Sequence, residues 1–292
     1  MKLSDFNVKR RDVFALYDKT ESDINQDIQI LREWMSQSPH LPSQLIGDDF
    51  IELCLLKNKF SLEKCKKKIE MYCTLKADPH YDYIFSRIPV PGREPSFATP
   101  LPVLTDGNKR LLIYRIYDAK SFEMAIDLNC QAIMREVQQR YDYNDGEIQI
   151  IDLRNCPISI LSRFRLNVFD DGQFLILQGF STRISAIHVV SKIGKALFST
   201  VIPLLPKKLS SRMSFHDDIH TLKDVISPKY LPRDYGGELQ TMEYYNDEWR
   251  KIFEENQTNI EMFVNTKSYE ELRIGDMKDE KMKGTFKQLT ID

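Results

Sequence analysis

The 292-residue chain has no run of about 18 apolar residues, so no segment of it is expected to cross a bilayer as a helix. It has no excess of one charge. Its 41 basic and 43 acidic residues give a net charge of −2, which removes the global basicity expected of a nucleic-acid binder, and no nucleic-acid partner is expected. Its five cysteines (Cys54, Cys65, Cys73, Cys130, Cys156) contain no CxxC pair and are odd in number. Reduced thiols used as small hydrophobes account for them, and a cytoplasmic setting follows. The opening MKLSDFNVKRRD has no apolar h-region, so no secretory leader is expected. Met1-Lys2 and the closing Thr-Ile-Asp argue against N-myristoylation and prenylation. GxGxxG, a phosphate-binding loop, GxSxG and HExxH are absent, and no nucleophile–base pair is suggested by spacing. The expectation is a protein that is not an enzyme and needs no cofactor or metal.

What is present is concentrated in IHVVSKIGKALFSTVIPLLP, from Ile187 to Pro206. Ile187–Val190 is short, apolar and β-branched, as a buried strand should be. Residues 192–202 fit one helix whose apolar residues, Ile193, Leu197, Phe198, Val201 and Ile202 among them, leave little polar face before Pro203 ends it. Arg183, Lys192, Lys195, Lys207, Lys208 and Arg212 flank it with no acid between them. Apolar and basic together suit an anionic membrane surface. A core helix whose lysines reach water is the plainer reading of the same residues.

The rest of the chain divides by pattern. Ile24, Ile28, Leu31 and Met35 recur at helical spacing, and SPHLP stops them. Asp48 and Asp49 open a second helix, and Ser61 is a candidate N-cap for a third. Lys57, Lys59, Lys64, Lys66, Lys67 and Lys68 form a second basic cluster, which reads as a solvated face, with a binding role as the alternative. Residues 88–102 hold five prolines and read as a linker or an irregular crossing into the second domain. Beyond it RLLIYRIYD, EIQIIDL, the Ile187 run and SRMSFH read as strands. Helices are predicted between them over residues 122–141 and 157–180, the latter interrupted near Asp170-Asp171-Gly172. Strands alternating with helices imply an α/β sheet with largely parallel pairing. The expected domains are a helical unit over 1–90, the α/β unit over 91–245, and a C-terminal helix with a charged tail over 246–292.

Four residues invite chemistry. His216 and His220 stand at i and i+4, but no third metal ligand is evident. Asp152 ends a strand, where α/β sites gather, though a turn or cap role fits it as well. His188, inside an apolar strand, reads as a satisfied core histidine.

The order of features resembles the CRAL-TRIO family of lipid-transfer proteins, in its alpha-tocopherol transfer protein-like branch, insect members included. LREWMSQSPHLP with DDFIELCLLKNKFSLEKCKKKIE looks like the family's N-terminal helical domain. IIDLRNCPISI with FSTRISAIHVV looks like its central strand, helix and strand, and PLLPKKLSSRMSFH through SPKYLPRDYGGE like its closing segment. The likeness implies a mixed, largely parallel sheet with helices and a mobile gate helix, preceded by an all-α domain. The opening stretch would be that gate. The family's cavity positions match Ile126, Asn129, Ile133, Ile151, Leu175, Ile176, Phe180 and Ile187, with Leu197, Phe198, Val201 and Ile202 on the gate. Among the eight cavity positions Asn129 alone is polar, and is expected to meet a ligand's polar group. The family's phosphate-contacting positions match Arg183, Lys208 and Arg212. The implied partners are a small lipophile and an anionic membrane surface, with phosphoinositides as a further partner, for a monomer that associates transiently with membranes. A phosphoinositide-sensing module without cargo is the alternative. Departures stand at Asn155 for Gly, at Phe180-Ser181 for an aromatic-Pro pair, in the missing Asn-x-Pro after the strand, at Ser185 for a basic residue, and at Leu53 and Leu56 for arginines.

Overall fold

The structure is a computed structural model that describes residues 1–90, 93–192, 194, 198–199 and 202–274. Among these, one five-stranded sheet runs in the order β1-β2-β3-β4-β5. Its strands are β1 (Ser96–Leu104), β2 (Arg110–Ile116), β3 (Glu147–Asp152), β4 (Ile184–Val190) and β5 (Met213–His216). The β1–β2 pair is antiparallel and every later pair is parallel.

β1 corrects the linker expected over 88–102. Pro100 and Pro102 sit within it, which an edge strand tolerates because a proline there removes no hydrogen bond from a central ladder. The register shifts between Pro100 and Leu104, and the Pro100 carbonyl accepts from the Trp249 indole at 2.9 Å. A tight turn closes the hairpin, with Asn108 at φ 55° and its N–H on the Thr105 carbonyl at 2.8 Å.

Strand alternation sorts residues to two faces. Leu111 and Ile113 of β2, Ile150 of β3 and Val190 of β4 pack under Leu222, Leu231 and Tyr235 of the closing segment. Ile116, Ile187 and Val189 face the other way. There the sheet meets α5 (Met124–Tyr141) and α6 (Leu166–Phe174). Helix α6 runs through Asp170-Asp171-Gly172 without the expected break and continues as a π-helical turn, Leu175–Gly179. The glycine is there for proximity, since a Cβ on Gly172 would lie 3.0 Å from Leu128 Cδ1.

Four N-terminal helices, α1 (Arg10–Ala15), α2 (Glu21–Ser36), α3 (Asp48–Lys57) and α4 (Leu62–Ala77), cover the outer face of α5. Thr20 caps α2 in a reciprocal box with Asp23, whereas Ser61 precedes α4 without a side-chain cap. One core extends from Phe6 to Val264, so the N-terminal helices, α5 and the helices Met242–Glu255 and Gln257–Val264 share it. The boundary expected at residue 245 therefore falls inside a helix. Two members of the lysine cluster are ties rather than solvated charges. Lys57 donates to the Asn144 carbonyl at 3.1 Å, and Lys68 to that of Gln178 at 3.2 Å. Burial lowers both pKa values to about 8.

Candidate ligand cavity

Between the sheet and helices α5 and α6 lies a cavity of about 290 Å³. Its floor is Leu112, Tyr114 and Ile116 of β2, Gln149 and Ile151 of β3, and Ile187 of β4. Its roof is Leu128, Gln131 and Arg135 of α5, with Asp127 beside them, and Val168, Phe169 and Gln173 of α6. Ile176 and Leu177 of the π-turn close one side, and Phe198, Leu205 and Leu209 of the β4–β5 crossover another.

Of the twelve residues expected to contact a ligand, Ile151, Ile176, Ile187 and Phe198 line this space. Leu197 and Val201 lie outside the described residues, and Ile202, in the short helix Ile202–Leu204, is half-buried away from it. Ile126, Asn129, Ile133, Leu175 and Phe180 are corrections. Ile133, Leu175 and Phe180 are fully buried in the core shared with the N-terminal helices, and Ile126 packs against it. Asn129 is 2% exposed and donates to the carbonyls of Ile84 and Arg87 at 2.6 and 2.9 Å, so its amide is spent on the chain itself. The error is one of helix phase. Positions 126, 129 and 133 form one stripe of α5, and two residues further on, about 200° round the axis, Leu128, Gln131 and Arg135 form the stripe that faces the cavity.

The polar lining went unrecognised. Asp127, Gln131 and Arg135 recur at i, i+4 and i+8, a polar stripe that could have marked the inner face of a helix buried nearly all round. Asp127 accepts from Ser96 Oγ, from Tyr114 Oη at 3.0 Å and from Gln131 Nε2 at 2.8 Å. Arg135 pairs with Glu147 and Gln138, and Gln149 donates to Glu147 at 3.2 Å.

The other candidates are structural. Asp152 accepts from Tyr235 at 2.6 Å and from the Arg154 guanidinium at 2.8 and 2.9 Å, tying the end of β3 to the closing segment. His188 Nδ1 lies 3.0 Å from His216 Nε2, and His216 Nδ1 lies 2.8 Å from Thr221 Oγ1. Burial lowers the His188 pKa to about 4. Among the described residues no group of three His, Cys, Asp or Glu is placed to hold a metal, and no helix is long and apolar enough to cross a membrane. Arg183 and Arg212 immediately precede β4 and β5 at one end of the sheet. Arg183 pairs with Asp145 at 2.8 Å and bonds Tyr17, and Arg212 donates to the Ile184 carbonyl. Lys208, in the turn Lys207–Ser210, is half-buried.

Residues 115–237 match the family model of the CRAL/TRIO domain, and residues 20–87 that of the Pinta-like UBA domain. The chain carries a CRAL/TRIO domain. It is similar to the mouse protein "Alpha-tocopherol transfer protein-like", 23% identical over 223 residues, which cover 73% of this chain and 64% of that one. It is also similar to mouse "Clavesin-2", 22% identical over 260 residues, covering 84% and 78% respectively. The chain thus spans under two thirds of the first of these relatives. Among solved structures, "Crystal structure of Sfh5" aligns at a TM-score of 0.43 and 11% identity, over 81% of this chain and 99% of that chain.

The matched stretch ends at Gly237, and its last residues show why the segment LPRDYGG is built as it is. Gly236 has φ +72°, a left-handed conformation, and a Cβ on Gly237 would sit 2.0 Å from the Leu231 carbonyl oxygen. Tyr235, fully buried, then reaches Asp152. Strand, turn and closing segment are one unit.

Proposed function

We propose that the protein carries one small lipophile in this cavity and exchanges it at membrane surfaces. The observation that carries the reading is a largely apolar cavity whose wall has a greasy outer face. The segment from Ile158 to Val168 contributes Ile160, Leu161, Phe164 and Val168 to the cavity, while Ile158 (61% exposed), Leu161 and Leu166 (55% exposed) stand open to solvent. Such a patch costs hydration in water and is relieved on a lipid surface. Arg163 and Arg165 lie within it, and no acid occurs from Leu153 to Phe169. Each basic residue near an anionic leaflet contributes about 1 kcal/mol. Apolar burial supplies affinity for the cargo at about 25 cal/mol per Å², less the cost of association.

Ile151, Ile176, Ile187 and Phe198 are the cargo contacts on this reading. Arg183, Lys208 and Arg212 contribute to membrane attraction through the field they add, although Arg183 already spends part of its charge on Asp145. General anionic preference is expected over head-group choice. The relatives' printed names support a lipophile-transfer role, and the cargo is left open among tocopherol-, retinoid- and carotenoid-like molecules.

The test is vesicle-to-vesicle transfer of a fluorescent lipophile by an Ile158→Asp, Leu166→Asp double variant. Both side chains are exposed, so thermal unfolding should stay within about 0.5 kcal/mol of the parent. Transfer should fall at least tenfold. Unchanged transfer contradicts the docking face. An empty cavity together with vesicle binding that depends on phosphoinositide would favour a sensor.

A further inference from the structure

We propose that the Asp127 carboxylate is the cavity's polar anchor and selects lipophiles that carry a hydroxyl donor over those that end in a carboxylate or offer only an acceptor. The inference rests on the lipophile cavity proposed above and adds the chemical class of its cargo.

Asp127 is 7% exposed, yet it lies on the cavity wall. A buried carboxylate ordinarily has a cation beside it. This one has three neutral partners instead: Ser96 Oγ and Tyr114 Oη at one oxygen, Gln131 Nε2 at the other. Arg135, the cation lining the same cavity, is two helical turns along α5 and is spent on Glu147 and Gln138. An ionised carboxylate accepts in about four directions. Three are taken, and the fourth belongs to Oδ2 on a wall whose other members are mostly apolar.

The geometry therefore asks for one more donor. A chain alcohol or phenol supplies an O–H and leaves nothing unpaired. An ether places a lone pair against a carboxylate oxygen and gains nothing. A ligand carboxylate brings a second negative charge into a space with no unpaired cation among the described residues. The apolar remainder of the cavity, Leu112, Ile151, Ile176 and Ile187 among it, then takes the hydrocarbon.

Three probes with the same tail separate these outcomes: 1-dodecanol, its methyl ether, and dodecanoate. Each is titrated against the protein loaded with the neutral fluorophore 1-aminoanthracene, at pH 7.5. In the wild type the alcohol should bind about tenfold or more tighter than the ether, because a hydrogen bond to a charged acceptor is worth more than that factor. Dodecanoate should bind weakest. Asp127→Asn should bring dodecanoate at least tenfold closer to the alcohol, whereas Tyr114→Phe, which keeps the charge and frees an acceptor direction, should preserve the preference for the alcohol. The wild-type ranking needs no variant to fold. Equal binding of the three probes by the wild type would overturn the anchor and leave the cavity standing. Displacement by none of them would overturn both.

Discussion

Helix α5 has two buried faces that obey different rules. On the outer face, toward the N-terminal helices, Glu136 accepts from Lys76 at 2.8 Å and from Tyr72 at 2.5 Å, and Arg140 donates to the Tyr72 hydroxyl at 3.1 Å. All four side chains are sealed from water, and Ile133 fills the space beside them. On the inner face Asp127 has donors but no cation, and next to it is open volume. Closed networks and filled space hold a fold together, whereas an acceptor to spare beside an empty space is a place for something else. The same helix serves as beam and as wall, and which role a residue plays depends on its phase.

Breaking the outer face should cost most. Glu136→Leu leaves the Lys76 amine and the Arg140 guanidinium without their carboxylate in the same dry volume, and unfolding free energy in guanidinium should fall by about 3–5 kcal/mol. Ile133→Ala, at a fully buried site, should cost about 2–5 kcal/mol. Ile176→Ala, whose side chain already borders a void, should cost well under that and show instead as weaker lipophile binding. Equal losses at Ile133 and Ile176 would erase the distinction between the two faces.

Acid sharpens the comparison through sign. His188 is held neutral in the fold with its pKa lowered to about 4, while an unfolded chain takes up the proton near 6.5. The unfolded state therefore binds more protons in that window, so stability is complete above about 6.5 and is lost as pH falls toward 4. The expected loss between pH 7 and pH 5 is about 2 kcal/mol, and His188→Asn should flatten it. Burial pushes the Asp127 carboxyl the other way, upward, so acidification relieves a cost there and Asp127→Asn should steepen the fall. The smallest effect on ligand choice is at Asn129. Replacing it by Leu should cost about 1–3 kcal/mol through the orphaned Ile84 and Arg87 carbonyls and leave the alcohol-to-ether ratio untouched.

How much of this was legible follows the physics. The parallel strands announce themselves by β-branched runs, α2 by its apolar spacing, and α3 by the acids that open it. β1 was hidden by Pro100 and Pro102, which exclude a central strand but not an edge. The phase of α5 was hidden because thirteen of its eighteen residues are buried, so no hydrophobic stripe marks the inside. Its polar stripe at 127, 131 and 135 was the better guide. Lys57 and Lys68 read as surface charge because the carbonyls they cap, at Asn144 and at Leu177 and Gln178, are supplied by tertiary structure. The partner of Arg183 is likewise thirty-eight residues away, at Asp145.

The most direct test of the central claim is the lipophile content of purified protein, measured by solvent extraction and mass spectrometry, for the wild type and for a folded Ile176→Trp, Ile187→Trp variant. The two indoles would occupy the space between the sheet and α6 without touching the outer face of α5. The account predicts close to one lipophile per wild-type chain and almost none in the filled variant. Equal content in both would place the cargo elsewhere and contradict the assignment of this cavity.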